Sequence, residues 1–176
     1  MSRNLSRAMS YLVIAAGLII LWSLAKGRAD PGSDPALERT RTQVRMLDDL
    51  YKTVVVLITD KYVKEEDDFP AGGAAVALFA AMEKKGWHKV RLVDATGKPL
   101  KEKNSPRDAF EVDAVKALKS GKAHYEKIFR VNGDRFLQSA TPVPVVRKKC
   151  VMCHSHYEKA KKGEPIGVLS YTLKIE

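Results

Sequence analysis

The chain contains two cysteines, and both fall within the five-residue segment Cys150-Val151-Met152-Cys153-His154. Two thiols separated by two residues and followed directly by a histidine are typical of covalent haem attachment. The thiols form thioether bonds to the porphyrin, and the adjacent imidazole binds the iron. We therefore expect one covalent haem c, with Cys150 and Cys153 as its tethers and His154 as the proximal iron ligand.

Two other kinds of site could use the same residues. A redox disulfide between Cys150 and Cys153 is typical of thioredoxin-like folds, in which the motif opens a helix beside a strand, and the order of elements here differs. A zinc site could recruit Cys150, Cys153 and His156, but no second Cys/His pair at suitable spacing completes a tetrahedron. Haem attachment is the favoured interpretation, and both alternatives stay open.

The residue on the opposite side of the iron is harder to assign. The histidines outside the motif are His88, His124 and His156. His88 shares a predicted strand face with Val90 and Leu92, so it should point into apolar surroundings, and we rank it first as distal iron ligand. The alternative for His88 is a core histidine with a hydrogen bond to the backbone. The alternative for the iron is that its sixth coordination position, opposite His154, is open.

The amino-terminal region predicts export. Residues 8–25 carry no charge and follow Arg3 and Arg7. An apolar helix of about 20 residues spans a bilayer, and positive flanks are retained on the cytoplasmic side. We predict that residues 1–29 form a signal peptide or a membrane anchor. The remainder would then lie on the periplasmic side, either soluble after cleavage or anchored to the inner membrane through residues 8–25. This location suits haem attachment, because that chemistry occurs outside the bacterial cytoplasm.

The composition fits one soluble domain with a basic surface. The chain has 176 residues and a formal net charge of +10. Net charge reports on solubility and steering and not on fold, and an exported chain is a poor candidate for nucleic-acid binding, which we exclude. Five lysines flank the motif and could steer an acidic redox partner protein: Lys148, Lys149, Lys159, Lys161 and Lys162.

The remaining pattern predicts a linker over residues 30–36 and one domain over residues 37–176. Asp34 and Pro35 are typical of a helix start, and apolar residues then recur at helical spacing to about residue 66. Asn132-Gly133 is a strong hairpin signal. The other predicted elements are a helix after Pro70 that ends at Gly86, a strand at 87–93, a helix at 108–120, strands at 123–131 and 135–143, and a final strand at 167–175. Together they predict an α+β fold, an antiparallel sheet with helices packed against it.

These residues resemble a family of single-haem, PAS-like c-type domains, found alone in the bacterial periplasm and as the sensory part of membrane histidine kinases. The resemblance runs from about residue 37 to the end of the sequence. Its markers are Leu50-Tyr51 to Val56, Phe69-Pro70-Ala71, Arg91-Leu92-Val93, Asn104-Ser105-Pro106 with Phe110-Glu111, Ala140-Thr141-Pro142, Cys150 to His154, and Gly167-Val168-Leu169.

The resemblance implies a PAS-like fold with the haem at the sheet edge against the long first helix. It also implies electron transfer or the sensing of redox state or a small ligand. Some members look to use a cysteine of the first helix as distal ligand, whereas this chain offers Met46 and Tyr51 there. We expect an exported monohaem cytochrome that transfers electrons and is not an enzyme. The alternative is a haem-based redox or gas sensor that acts on a separate partner.

Overall fold

The first helix, α1, runs from Pro35 to Lys61 in a computed structural model that describes residues 32–65, 70–152 and 155–176. Its start agrees with the prediction, because Pro35 occupies the first helical position. Residues three, four, seven and eight apart share one face of a helix, and the buried residues follow that spacing. They are Leu37, Thr40, Val44, Tyr51 and Thr59.

The end of α1 differs from the prediction, since the helix stops at Lys61 and not near residue 66. The backbone N–H groups of Tyr62 and Val63 both donate to the carbonyl of Ile58, over 2.9 and 3.3 Å. These shared bonds close the last turn, a common way for a helix to end.

The later elements follow the predicted order. They are α2 (Ala71–Lys84), β1 (Lys89–Asp94), α3 (Ala109–Lys119), β2 (Tyr125–Val131), β3 (Asp134–Pro144), α4 (Lys149–Met152) and β4 (Pro165–Lys174), with 3₁₀ turns at Glu102–Asn104 and Ser155–Lys159. The sequence pattern did not indicate α4 or the two 3₁₀ turns, because each is too short to show a helical period.

The described strands form one antiparallel sheet in the order β1-β4-β3-β2. The last strand of the chain, β4, therefore lies in the middle of the sheet, between β1 and β3. Asn132 and Gly133 join β2 to β3 with φ angles of 50° and 87°. Two consecutive positive φ angles define the tight turn that glycine and asparagine favour, which confirms the predicted hairpin.

Two apolar layers cover the two faces of the sheet. Side chains alternate along a strand, so Leu169 and Tyr171 of β4 face α1 and α2, while Val168 faces α3. The first layer includes Tyr51 of α1 and Phe79 of α2, whose rings meet edge to face at 5.0 Å between centroids. This arrangement places α1 and α2 on one face and α3 on the other.

A partly buried polar cluster also joins α1 to the sheet. Asp48 accepts hydrogen bonds from the Tyr171 hydroxyl at 3.0 Å, from Thr141 Oγ1 at 2.5 Å and from Lys52 Nζ at 2.8 Å. Burial raises the pKa of Tyr171, and the negative charge of Asp48 raises it further, so the phenol keeps its proton and donates. The cluster fixes the register of α1 over β3 and β4.

The structure confirms the predicted α+β class, with a long first helix followed by an antiparallel sheet, and it is compatible with a PAS-like fold. Ala36–Glu176 form one compact unit. The predicted signal or anchor segment, residues 1–29, lies outside the described residues. Within residues 32–65, 70–152 and 155–176 we find no helix with the length and hydrophobicity needed to cross a membrane.

Candidate functional site

The Cys-x-x-Cys-His segment lies in the connection between β3 and β4. Cys150 belongs to α4, is half-buried and has a free thiol. Val151 and Met152 are also half-buried. Cys153 and His154 lie outside the described residues, so their predicted roles as tether and proximal ligand stay predictions.

A tight turn presents Cys150. The Cys150 N–H donates to the carbonyl of Arg147 at 3.0 Å, and the Val151 N–H donates to the carbonyl of Lys148 at 3.1 Å. Upstream, β3 ends at Pro144, a residue without a backbone N–H for the ladder. The chain therefore leaves the sheet and turns back within a few residues, and this turn carries the first cysteine.

Lys149 attaches this turn to the carboxyl end of α1. Its Nζ donates to the carbonyl of Val63 at 2.6 Å and lies 3.4 Å from the carbonyls of Thr59 and Asp60. The last carbonyls of a helix have no partner within the helix, and the helix dipole favours a cation there. A hydrogen bond to a charged group contributes about 1.5–3 kcal/mol, so this contact is a strong one for a single side chain.

Arg147 makes a second, weaker contact with the same end of α1. Its Nε lies 3.2 Å from both carboxylate oxygens of Asp60. The side chains of Arg147 and Asp60 are 50% and 35% exposed, and exposed ion pairs contribute only about 0–1 kcal/mol. Lys149 is therefore the main link between the turn and α1.

Tyr157 follows the motif in the sequence, on the side opposite to the Lys149 turn. It is half-buried in the 3₁₀ turn that follows the motif, and its ring meets the His156 ring at 4.3 Å between centroids. Burial raises the pKa of Tyr157, and the nearby Asp94 and Cys150 raise it further. The Tyr157 phenol therefore stays protonated near pH 7.

Beside Tyr157 is a shallow depression of about 170 Å³. Its polar lining includes His156, Lys119 and Lys159, and Lys119 also donates to the carbonyl of Ala95 at 3.1 Å. The depression is open to solvent, and its lining combines these two lysines with the carboxylate of Glu164.

His88, the predicted distal ligand, is buried and bonded to another side chain. Its Nε2 lies 2.7 Å from the Tyr51 hydroxyl, and burial lowers the pKa of His88 and raises that of Tyr51. Both groups are therefore neutral near pH 7. Iron binding through Nε2 would use the atom that this hydrogen bond occupies. The arrangement therefore favours the alternative of a core histidine. The partner of His88 is a tyrosine hydroxyl and not the backbone carbonyl that was expected for that alternative. Distal ligation by His88 stays a prediction.

The other candidate ligands are also placed by the structure. Met46 is 62% exposed, and its five-residue offset from buried Tyr51 puts it on a different face of α1. His124 is exposed just before β2. His156 is half-buried next to Tyr157, two residues from His154.

The basic residues around the motif divide into two groups. Lys149 is held by the carbonyls of α1, and Lys148, Lys159, Lys161 and Lys162 are exposed. From the sequence all five form one basic surface, either solvated or able to steer a partner. The separate role of Lys149 could not be predicted, because no local pattern indicates that a lysine will meet the end of a helix 86 residues away. Among the described residues, no group of three or more His, Cys, Asp or Glu side chains forms a metal site.

Sequence comparisons give one family. No curated protein matches the chain. The family model described as Tll0287-like matches residues 34–170, which include all of α1, the sheet up to the middle of β4, and the Cys-x-x-Cys-His segment. The match covers well over half of the chain, and the chain therefore belongs to the Tll0287-like domain family.

Proposed function

We propose that this protein is an exported monohaem c-type cytochrome that transfers single electrons. Cys150 and Cys153 would tether the haem, and His154 would bind its iron. The observation that carries the proposal is the Cys-x-x-Cys-His spacing in a chain with no other cysteine. A haem bound there would supply a one-electron iron couple, and the protein would set its potential through the ligands, burial and hydrogen bonds.

The surroundings of Cys150 fit a tethering role. The thiol is free and half-buried, and a tight turn presents it. Lys149 fixes the turn against the end of α1, so a group attached at Cys150 would meet an anchored part of the fold.

The proposed setting is the periplasmic side, with residues 8–25 as signal or inner-membrane anchor. The proposed partner is an acidic redox protein, because the exposed lysines around the motif give this end of the molecule positive charge. We propose neither an enzymatic activity nor nucleic-acid binding.

One observation favours a second candidate, a haem-based redox or gas sensor that acts on a separate partner. His88 Nε2 is engaged by Tyr51, and Met46 is exposed on another face of α1. Neither residue is poised to bind iron, which favours a sixth position that is open or readily displaced. Such a position is what a gas-binding module needs.

Coexpression of the full chain with c-type haem maturation machinery tests both candidates. We expect a red protein whose pigment stays with the polypeptide in acidified acetone, and loss of covalent haem in Cys150→Ala, Cys153→Ala and His154→Ala. Met152→Ala is the matched control, because Met152 lies inside the motif without a predicted bond to haem. A colourless mature wild type would contradict the proposal.

Carbon monoxide then separates the two candidates. A six-coordinate low-spin spectrum that is unchanged by the gas supports the cytochrome, and a five-coordinate haem that binds it supports the sensor. The spectrum of His88→Ala tests the distal ligand, since an unchanged spectrum excludes His88.

A further inference from the structure

The contact between Lys149 and α1 joins the residue before the first cysteine to the end of α1, the longest helix among the described residues. The Lys149 ammonium meets three backbone carbonyls, those of Val63, Thr59 and Asp60. These carbonyls belong to the last turn of α1 and the residues that follow it. The contact spans 86 residues of sequence and connects two elements that do not pair through the sheet.

We propose that Lys149 is a positioning residue, which holds the Cys150 turn on the carboxyl end of α1 and fixes a positive charge beside the first haem tether. This inference rests on the proposed function for its redox consequence, whereas the positioning itself concerns residues that the structure describes. Lys149 is neither a proposed tether nor a proposed iron ligand, and it acts through the placement of Cys150.

The geometry explains why lysine suits this position. An ammonium group has three donors, and three carbonyl oxygens lie within 3.4 Å of Nζ. The charge on Nζ also meets the negative end of the helix dipole. Lys149 is half-buried, and its neighbour Lys148 is exposed, so the two lysines differ in surroundings although they share charge and size.

The first experiment needs no haem. Hydrogen exchange is measured on the reduced full-length apoprotein, for peptides that span residues 146–152 and 58–65. In Lys149→Met we expect exchange in both peptides to rise roughly ten- to a hundredfold, because both sides lose the charged hydrogen bonds that close them. Lys148→Met is the matched control and should exchange as the wild type does. Equal exchange in Lys149→Met and Lys148→Met would overturn the proposal.

The second experiment uses the mature haem protein. A fixed positive charge disfavours the oxidised iron, so Lys149→Met should lower the midpoint potential more than Lys148→Met, whose charge is screened by solvent. Lys149→Arg keeps the charge and several donors and should restore most of the potential and of the exchange protection. Equal potentials in the two Met variants would refute the redox part of the role.

The two experiments separate the two hypotheses. If the wild type acquires no haem, the proposed function fails, and the exchange measurement still decides whether Lys149 holds the turn. If the wild type carries haem and neither Met variant differs from the other, the cytochrome stands and the positioning role of Lys149 is wrong.

Discussion

The Tyr51 hydroxyl lies 2.7 Å from Nε2 of His88, in the apolar layer between α1 and the start of β1. The two residues are 37 positions apart in the sequence, and the Phe79 ring of α2 packs against Tyr51. In a buried polar pair of this kind, each group has its hydrogen-bond partner only when both residues are present. The bond therefore connects α1 to the start of β1 with a directional contact.

Removal of the hydroxyl in Tyr51→Phe should destabilise the fold. His88 Nε2 would stay buried without its partner, which costs about 1–3 kcal/mol of unfolding free energy. Urea denaturation followed by circular dichroism measures the change. Tyr62→Phe is the control, because Tyr62 is 77% exposed and its change should fall within about 0.5 kcal/mol. Equal midpoints for the two variants would contradict a role for the Tyr51–His88 bond.

Acid should weaken the fold through His88. Burial lowers the pKa of His88 in the folded protein, whereas the unfolded chain takes up its proton near the ordinary value of about 6.5. The stabilising contribution of neutral His88 is therefore fully present above pH 6.5. It is lost as the pH falls through the lower pKa that His88 has in the folded protein. Unfolding free energies at pH 7.5, 6.5 and 5.5 test this. The wild type should lose more stability over this range than His88→Gln, and parallel losses would show that another group titrates.

Breaking the ion pair of Arg91 and Glu111 should lower the free energy of unfolding far more than breaking a surface ion pair does. The Glu111 side chain is 4% exposed, and its carboxylate also accepts from the Arg107 N–H at 2.8 Å. Arg91 in turn donates to the carbonyl of Lys103 at 2.8 Å. Glu111→Ala would leave the Arg91 charge partly buried without its counter-ion, and we expect a loss of about 3–5 kcal/mol.

The matched control for Glu111→Ala is Asp113→Ala, on the same helix α3. Asp113 pairs with Lys127 at 2.8 Å, but the two side chains are 50% and 48% exposed. We expect a much smaller loss in the same denaturation measurement, because exposed ion pairs contribute little to stability. A larger loss for Asp113→Ala than for Glu111→Ala would show that burial does not control the strength of these pairs.

Gly167→Ala should strain the middle of the sheet. A methyl group at Gly167 would lie 3.3 Å from the Val93 carbonyl oxygen and 3.5 Å from Leu92 Cδ1. Gly167 is buried in β4 opposite Asp94, so the strands can give way only by shifting backbone. We expect a loss of about 1–3 kcal/mol by thermal or chemical unfolding. Gly72→Ala, where the nearest atom is 3.9 Å away, is the control and should be neutral or stabilising.

Features set by neighbouring residues could be predicted from the sequence. Pro35 starts α1 and Asn132-Gly133 closes the hairpin because the required backbone angles are built into those residue types. The alternation of buried residues along β4 follows from the strand period. The α+β class follows from these local signals together.

Features set by distant residues could not be predicted. His88 was expected in apolar surroundings, which is correct, but its partner Tyr51 comes from another element. Lys149 was grouped with the other four lysines beside the motif as one basic surface. Its contact with Val63 forms only because the chain that follows β3 passes the end of α1 in the folded protein. In both cases residue type indicated what the side chain needed, and only the tertiary fold determined which group supplied it.

The central place of β4 also sets an order of events for a chain that emerges from its amino terminus. The sheet cannot close until residues 165–174 have been inserted between β1 and β3, and pairing over such sequence distances is slow. Cys150 emerges before that final strand. For as long as Cys150 is the last residue to have emerged, the sheet of a nascent chain stays incomplete, because β1 and β3 still lack the strand between them.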